Sequence, residues 1–170
     1  MPAIRIEPAA SGPELDVARA LFLEYVRAPD WEPGFAAYLA QQDFGAELAA
    51  LPGAYAPPGG CLLVARVDAE PAGCVAYKPL DPPHVCEMKR LYVRPAARGR
   101  GVAERLVRRL LRSAWDAGYQ RMRLDTLPSM AAAQRLYARV GFREIPAYCV
   151  NPVPGARFLE AELTDVALVG

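Results

Sequence analysis

The segment from Val85 to Gly118 constrains the fold most, because an apolar run passes through a short glycine-rich turn directly into an amphipathic pattern. Val85–Val93 has the length and composition of a buried strand, and Arg94-Pro95 ends it. From Val102 to Ala117, apolar residues recur at helical spacing with arginines on the other face. A strand that leads straight into a helix predicts a sheet with helices packed on its faces.

The remaining periodicities predict six further strands and three further helices. Ser11 and Glu14 fit a capping box before the first helix, and residues 68–71 fit a hairpin turn. The order β-α-α-β-β-β-α-β-α-β-β indicates an α/β (α+β) fold with a mixed, mostly antiparallel central sheet flanked by helices. The predicted strands are Ile4–Ile6, Cys61–Val67, Ala72–Lys78, Arg121–Thr126, Phe142–Ile145 and Phe158–Leu163, and the helices are Leu15–Tyr25, Phe35–Leu51 and Met130–Val140.

Composition narrows the class of protein. The chain has 170 residues, of which 53% are hydrophobic, so we expect one domain over residues 1–170. Its net charge of +1 and the absence of an apolar leader or membrane segment favour a cytoplasmic protein that binds neither membrane nor nucleic acid. Four cysteines and one histidine lack zinc-site spacing, so no metal is expected.

Arginines are concentrated around one loop and helix. Ten of the eighteen lie between Arg90 and Arg123, which fits either a solvated helix face or a local anion site. Inside this region, small residues alternate with larger ones from Arg98 to Ala103, at the start of the helix. Free backbone amides and the helix dipole favour an anion there, and small side chains let a phosphate approach. A simple tight turn is the alternative. The segment is neither a Rossmann dinucleotide-binding turn nor a P-loop, because it lacks the GxGxxG pattern of the first and the GK[ST] pattern of the second.

The hexapeptide Arg98-Gly99-Arg100-Gly101-Val102-Ala103 resembles the R/Q-x-x-G-x-G/A motif of the GNAT superfamily of N-acyltransferases. Glu87–Val93 resembles the central strand of that family, and Leu136-Tyr137 with Gly141-Phe142 resembles its closing segment. The resemblance implies acetyl-CoA as cosubstrate, with the pantetheine arm in a gap beside a bulged central strand. The implied cofactor-binding residues are Leu91, Tyr92, Val93, Arg98, Gly99, Arg100, Gly101, Val102, Ala103 and Ser129, the last standing near where many relatives carry Asn.

Two side chains are candidates for acid–base catalysis. Glu87 matches a glutamate that is the general base in some relatives; pairing with Lys89 or Arg90 on an exposed strand face, with a water chain as the base, is the alternative. Tyr137 matches the family tyrosine that protonates the departing thiolate, and a core aromatic is the alternative. Asp125 fits a turn acceptor better than an acceptor-binding group.

The sequence therefore predicts an N-acetyltransferase in which a primary amine of a small molecule or amino acid attacks acetyl-CoA directly in a ternary complex. A protein N-terminus or lysine is the second acceptor class. A catalytically silent acyl-CoA-binding or sensing domain, and an RNA- or DNA-binding domain, are the alternatives outside the enzyme class. Whether the chain forms a homodimer is left open. Residues expected on the acceptor side are Tyr25, Trp31, Phe35 and Tyr148.

Overall fold

The computed structural model describes residues 1–164, so residues 165–170 of the predicted domain lie outside the described part. Within that part the sheet has seven strands, flanked by five α-helices. The strands are β1 (Ile4–Pro8), β2 (Cys61–Val67), β3 (Glu70–Pro79), β4 (Val85–Val93), β5 (Arg121–Thr126), β6 (Arg143–Ile145) and β7 (Arg157–Glu162). The helices are α1 (Gly12–Arg27), α2 (Phe35–Gln41), α3 (Phe44–Ala50), α4 (Val102–Asp116) and α5 (Ala131–Arg139).

The strands are arranged in the order β1-β2-β3-β4-β5-β7-β6. Only the central β4–β5 pair is parallel, and all other neighbours are antiparallel, which confirms the mixed, mostly antiparallel sheet. Asp68 and Ala69 form the two-residue turn of the predicted hairpin, both with positive φ, and β3 therefore starts at Glu70.

Both faces of the sheet are covered. Leu63 and Val75 pack with Leu106 and Leu110 of α4 in one hydrophobic cluster, whereas alternate residues of the same strands belong to another. That second cluster joins Leu62, Val64, Cys74 and Ala76 to Leu21 and Phe22 of α1. Because each face is fully buried, the strands β2 and β3 are continuous apolar runs.

Two details of the predicted helices are wrong. The segment Phe35–Leu51 is not one helix: α2 and α3 are separated by Gln42 and Asp43, the latter in the left-handed region (φ 50°), a conformation that Asp tolerates. The Ser11 side chain makes no capping hydrogen bond. Glu14 does not reach back to it, because its carboxylate binds Arg66 of β2 at 2.7 Å.

Residues 1–164 contain neither a membrane-spanning helix nor a cluster of potential metal ligands. No helix there has the length and apolar character needed to cross a membrane. No group of three or more His, Cys, Asp or Glu side chains is arranged to hold a metal ion.

Candidate active site

A bulge interrupts β4 near its carboxyl end. Cys74 of β3 faces Tyr92 and Ala76 faces Lys89, so Arg90 and Leu91 together oppose the single residue between them. Arg90 has φ 63°, a conformation that costs a non-glycine residue free energy and requires support from its surroundings.

The support comes from the helical segment before β2. The Arg90 guanidinium is buried and donates to the Glu47 carboxylate of α3 at 2.8 and 3.1 Å and to the Gln42 side-chain oxygen at 2.8 Å. These charged hydrogen bonds fix the side chain and hence the backbone of the bulge.

Beyond the start of β4, the two parallel strands separate. β4 pairs with β5 only from Val85 to Glu87, and a cleft of about 520 Å³ opens beside the carboxyl end of β4. The cleft is bounded by the end of α1 and the loop after it, by β4, by the start of α4 and by α5. Its lining includes Tyr25 and Trp31, Leu91–Val93, the turn before α4, and Ser129, Met130 and Leu136.

The turn before α4 has the features of an anion site. Gly99 and Gly101 have φ of 76° and 78°, and a Cβ on either would meet no protein atom within 4 Å, so the backbone faces open space. The first amides of α4 follow at Val102 and Ala103, both of which line the cleft. Arg98 is anchored at the turn because its Nε donates to the Val93 carbonyl at 3.0 Å.

Nine of the ten predicted cofactor-binding residues line this one cleft. Arg100 is the exception: it is exposed and lies outside the lining, although its neighbours Gly99 and Gly101 are part of it. Ser129 lines the cleft but is already engaged, since its backbone N–H and hydroxyl donate to the Glu32 carboxylate at 2.9 and 2.7 Å.

Tyr137 lies outside the lining of the cleft and lines a neighbouring cavity instead. This small cavity has a volume of about 20 Å³ and shares Tyr25, Leu91 and Met130 with the larger cleft. Burial raises the pKa of its hydroxyl, which therefore stays protonated at neutral pH. Its ring also packs on Phe142 with centroids 5.6 Å apart, so Tyr137 is a core aromatic as well as a cavity residue.

Glu87 is buried and lies outside the linings of both cavities. The Tyr148 hydroxyl donates to its carboxylate at 2.6 Å, and the Lys89 and Lys78 ammonium groups are 3.6 and 3.9 Å away. The expected pairing with Lys89 is present, but on a buried face rather than an exposed one, and Arg90 pairs with Glu47 instead.

The sequence did not predict that Asp125 and Lys89 form a buried ionic network, or that Tyr38 belongs to it. Lys89 Nζ lies 3.4 Å from Asp125 Oδ1 and 3.4 Å from the Tyr38 hydroxyl, and all three residues line the small cavity. A lysine in the apolar run of β4 was the available signal for a buried ionic network. No pattern pointed to Tyr38, because α2 and β5 are far apart in sequence.

Similarity to known proteins fits this geometry. Residues 19–142 match the Acetyltransferase (GNAT) family. The chain is 38% identical over 152 residues to an uncharacterized N-acetyltransferase of Schizosaccharomyces pombe, covering 89% of this chain and 90% of that protein. It is 35% identical over 106 residues to N-acetylaspartate synthetase of Rattus norvegicus, covering 62% of this chain but only 36% of the synthetase.

A solved structure supports the fold. The PaiA N-acetyltransferase of Thermoplasma acidophilum, determined in complex with coenzyme A, superimposes with a TM-score of 0.68 at 16% identity, over 94% of this chain and 99% of that one. Together with the family match over most of the chain, the bulged central strand and the glycine-rich turn identify the protein as an acyltransferase that belongs to the Acetyltransferase (GNAT) family.

Proposed function

We propose that the chain transfers an acetyl group from acetyl-CoA to a primary amine of a small molecule or amino acid. The observation that carries this proposal is the cleft that joins the amide-rich turn at Gly99–Ala103 to the bulge in β4, together with the small cavity, lined by Tyr137, that shares Leu91 and Met130 with it. An anion site at one end and a proton donor at the other suit a long cosubstrate with phosphates and a reactive thioester.

The residues of the cleft fit acetyl-CoA. The open space at Gly99 and Gly101 admits a pyrophosphate against the free amides of α4, and Arg98 adds positive charge. The last residues of β4, Leu91 to Val93, would hydrogen-bond the pantetheine arm through their backbone, because β5 does not pair with them. When bound, acetyl-CoA supplies the activated acetyl group.

The acceptor class is proposed from the relatives. The rat protein is named for N-acetylaspartate, an N-acetylated amino acid, and shares 106 aligned residues with this chain. Among residues 1–164, no cysteine lines either cavity, which favours direct attack by the amine over a thioester on the enzyme.

Two side chains are proposed to move protons. Glu87 would accept the proton that the amine loses, with Lys89 linking it to the small cavity, and Tyr137 would give a proton to the departing sulfur. The N–C bond then forms as the C–S bond breaks, and the acetyl group is never covalently attached to the protein.

A screen of amines for thiol release tests the function. The full-length chain is incubated with acetyl-CoA and a library of amino acids, polyamines and aromatic amines, and free CoA is measured. We expect release above the rate without acceptor for at least one class of primary amine, and mass spectrometry should show the matching N-acetyl product. Tight binding of acetyl-CoA with no release by any amine or peptide would contradict the proposal.

A further inference from the structure

One residue of β4 has a backbone conformation that is unusual inside a strand. Five non-glycine residues of the described chain have positive φ, and four of them lie in turns or loops between elements. Arg90, with φ 63°, is the fifth, and it lies within β4. Such a conformation persists only where the surroundings hold it in place. The contacts that hold Arg90 therefore determine the shape of this strand.

The packing of β4 requires a bulge but does not fix its position. Met88 and Val93 both belong to the hydrophobic cluster on the α4 face of the sheet, although they are five residues apart. Regular alternation places residues an odd number apart on opposite faces, so one extra residue has to be accommodated between them. Lys89, Arg90 or Leu91 could each accommodate it without changing the face on which Val93 packs.

The Arg90 side chain selects the position of the bulge. It is 1% exposed, and beyond its hydrogen bonds with Glu47 and Gln42 its guanidinium lies over the Phe44 ring, 5.2 Å from the centroid. Glu47 is held in turn, because the Tyr55 hydroxyl donates to its carboxylate at 2.9 Å. Since a buried charged hydrogen bond is costly to leave unmade, these contacts favour the backbone conformation that lets the guanidinium reach α3.

The partners of Arg90 do not line the cleft, whereas Leu91, Tyr92 and Val93, which follow the bulge directly, do. Any effect of Glu47 on the cleft therefore passes through the backbone of β4. A bulge moved by one residue would turn the peptide groups that follow it. These are the N–H and C=O groups that β5 leaves unpaired.

We propose that Glu47 and Arg90 form a positioning pair, which fixes the bulge of β4 at residue 90 and so sets the geometry of the cosubstrate site from outside the cleft. The inference rests on the proposed function, because it names the pair that prepares the backbone groups proposed to bind the pantetheine arm. Glu47 acts only through Arg90, and Gln42 and Tyr55 support the two charged groups.

Replacing Arg90 by glycine and by alanine tests the proposal. Both substitutions remove the guanidinium and leave Glu47 without its cation, so that loss is common to the two variants. Glycine adopts positive φ readily and alanine does not, so only Arg90→Gly should keep the bulge at residue 90. Arg90→Gly should bind acetyl-CoA roughly fivefold to a hundredfold more tightly than Arg90→Ala, the cost of a strained backbone expressed as a ratio of equilibrium constants. Isothermal titration calorimetry measures this ratio, and equal affinities or tighter binding by the alanine variant would overturn the proposal.

Arg121 supplies the matched control for glycine in a strand. It is an exposed arginine of β5 and does not have positive φ. Arg121→Gly should therefore melt at a lower temperature than Arg121→Ala, because glycine weakens a strand. At position 90 the order of the two melting temperatures should be reversed. The same order at both positions would contradict the assignment of the bulge to Arg90.

Glu47→Gln tests the partner in α3. It keeps the size of the side chain, removes the charge that holds Arg90, and should weaken acetyl-CoA binding by roughly threefold to tenfold, the scale of a weakened charged hydrogen bond. Added to Arg90→Gly it should cause no further loss of affinity, because the contact is already absent. Glu14→Gln breaks the ion pair with Arg66 between α1 and β2, outside the cleft, and should leave the affinity unchanged. Wild-type affinity in a folded Glu47→Gln protein would overturn the proposal.

The backbone can also be observed without cosubstrate. In ¹⁵N-labelled protein, the amide resonances of Tyr92 and Val93 should stay near their wild-type positions in Arg90→Gly. In Arg90→Ala they should move or split, because the bulge is then shared among several positions. Unchanged resonances in Arg90→Ala would overturn the proposal, and Glu47→Gln gives the same comparison if neither variant at position 90 folds. A wild type that binds no acetyl-CoA would contradict the proposed function instead, and these resonances would still decide the positioning pair.

Discussion

At the residue scale, the proposed chemistry depends on the hydroxyl of Tyr137 and on the Glu87 carboxylate beside Lys89. Tyr137 combines two roles that are separable by mutation, because its ring packs on Phe142 while it also lines the small cavity. Deleting the hydroxyl alone therefore distinguishes catalysis from packing.

Tyr137→Phe should lower turnover by roughly tenfold to a thousandfold, the scale of lost acid catalysis, and leave the melting temperature and acetyl-CoA affinity near wild type. Burial raises the pKa of Tyr137 above the ordinary value of about 10, so the wild-type rate should show no loss from tyrosine ionisation up to that pH. Steady-state rates between pH 6 and 10, under conditions in which chemistry limits turnover, check both statements. Unchanged turnover would leave Tyr137 as a core residue.

Glu87 is the second residue proposed to move a proton. Glu87→Gln keeps the size of the side chain and its contact with Tyr148, but it cannot accept a proton. We expect turnover at neutral pH to fall by about 10²–10⁴-fold with acetyl-CoA binding intact. Part of the rate should return at higher pH, because more of the amine is then already deprotonated.

The measurement for Glu87→Gln is a pH–rate profile beside a melting curve. Loss of the negative charge also removes a partner of Lys89, so a folded protein is required for the comparison. Wild-type turnover across the pH range would exclude Glu87 as the base and favour a water chain.

The sequence predicted the local backbone geometry of the turn before α4 but not the contacts between distant elements. The turn from Arg98 to Ala103 was recognisable because glycine at positive φ and a helix start are both local signals. The hydrogen bond from the Tyr38 hydroxyl to the Asp125 carboxylate joins residues that are 87 positions apart in sequence. The alternation of polar and apolar residues in β5 places Asp125 on the same face as Arg121 and Arg123. It does not show that Lys89 and a cavity lie beside Asp125.

At the scale of elements, the turn before α4 is the feature most open to test. Gly101→Val adds a branched side chain where the structure leaves open space for a phosphate. Gly118→Val is its matched control, because Gly118 also has positive φ (93°) and open space around its Cβ, but lies at the other end of α4.

Both valine variants should lose about 1–3 kcal/mol of stability from the strained backbone. Only Gly101→Val should also lose the rise in melting temperature that acetyl-CoA gives to the wild type, since that rise reports binding to the native state. Thermal shift and isothermal titration calorimetry measure the two effects separately. Full acetyl-CoA affinity in a folded Gly101→Val protein would remove the turn from the binding site.

The segment that contacts the bulge in β4 is the one whose helices the sequence predicted wrongly. Arg90 of the bulge binds Glu47 of α3 and Gln42, and Gln42 lies in the break between α2 and α3. A single helix over Phe35–Leu51 was the simpler interpretation of an alanine-rich segment. In the structure the break at Asp43 accompanies a tertiary contact in which both side chains reach the same guanidinium.

At the scale of the whole molecule, the cleft lies between parts of the chain that are distant in sequence. The loop after α1 supplies one wall and α5 the other, and Glu32 joins them through two hydrogen bonds from Ser129. Trp31, next to Glu32, stacks on Phe35 with centroids 4.0 Å apart and lines the same cleft. The Glu32–Ser129 contact therefore joins two walls of the cleft.

The Glu32–Ser129 contact should make the stability of the folded chain depend on pH in the acidic range. Burial alone would raise the pKa of Glu32, but the hydrogen bonds from Ser129 outweigh burial and lower it. Because the pKa is lower in the folded state, the stabilisation is complete above the ordinary glutamate pKa of about 4.3 and is lost as the pH falls through the lower, folded-state value.

Ser129→Ala removes the hydroxyl hydrogen bond at every pH, so the difference in melting temperature between wild type and variant should be largest near neutral pH and shrink in acid. About 1 kcal/mol shifts the melting temperature of a chain of this size by roughly 2–4 °C, which sets the upper scale of the neutral-pH difference. Melting curves of both proteins from pH 7 to pH 3 measure it, and Ser113→Ala, which removes an exposed hydroxyl on α4, controls for loss of a serine hydrogen bond elsewhere. A wild-type-minus-variant difference that is constant with pH would show that Ser129 does not depend on the charge of Glu32. The two walls of the cleft would then be joined by the apolar cluster that contains Trp31 and Met130 rather than by this charged contact.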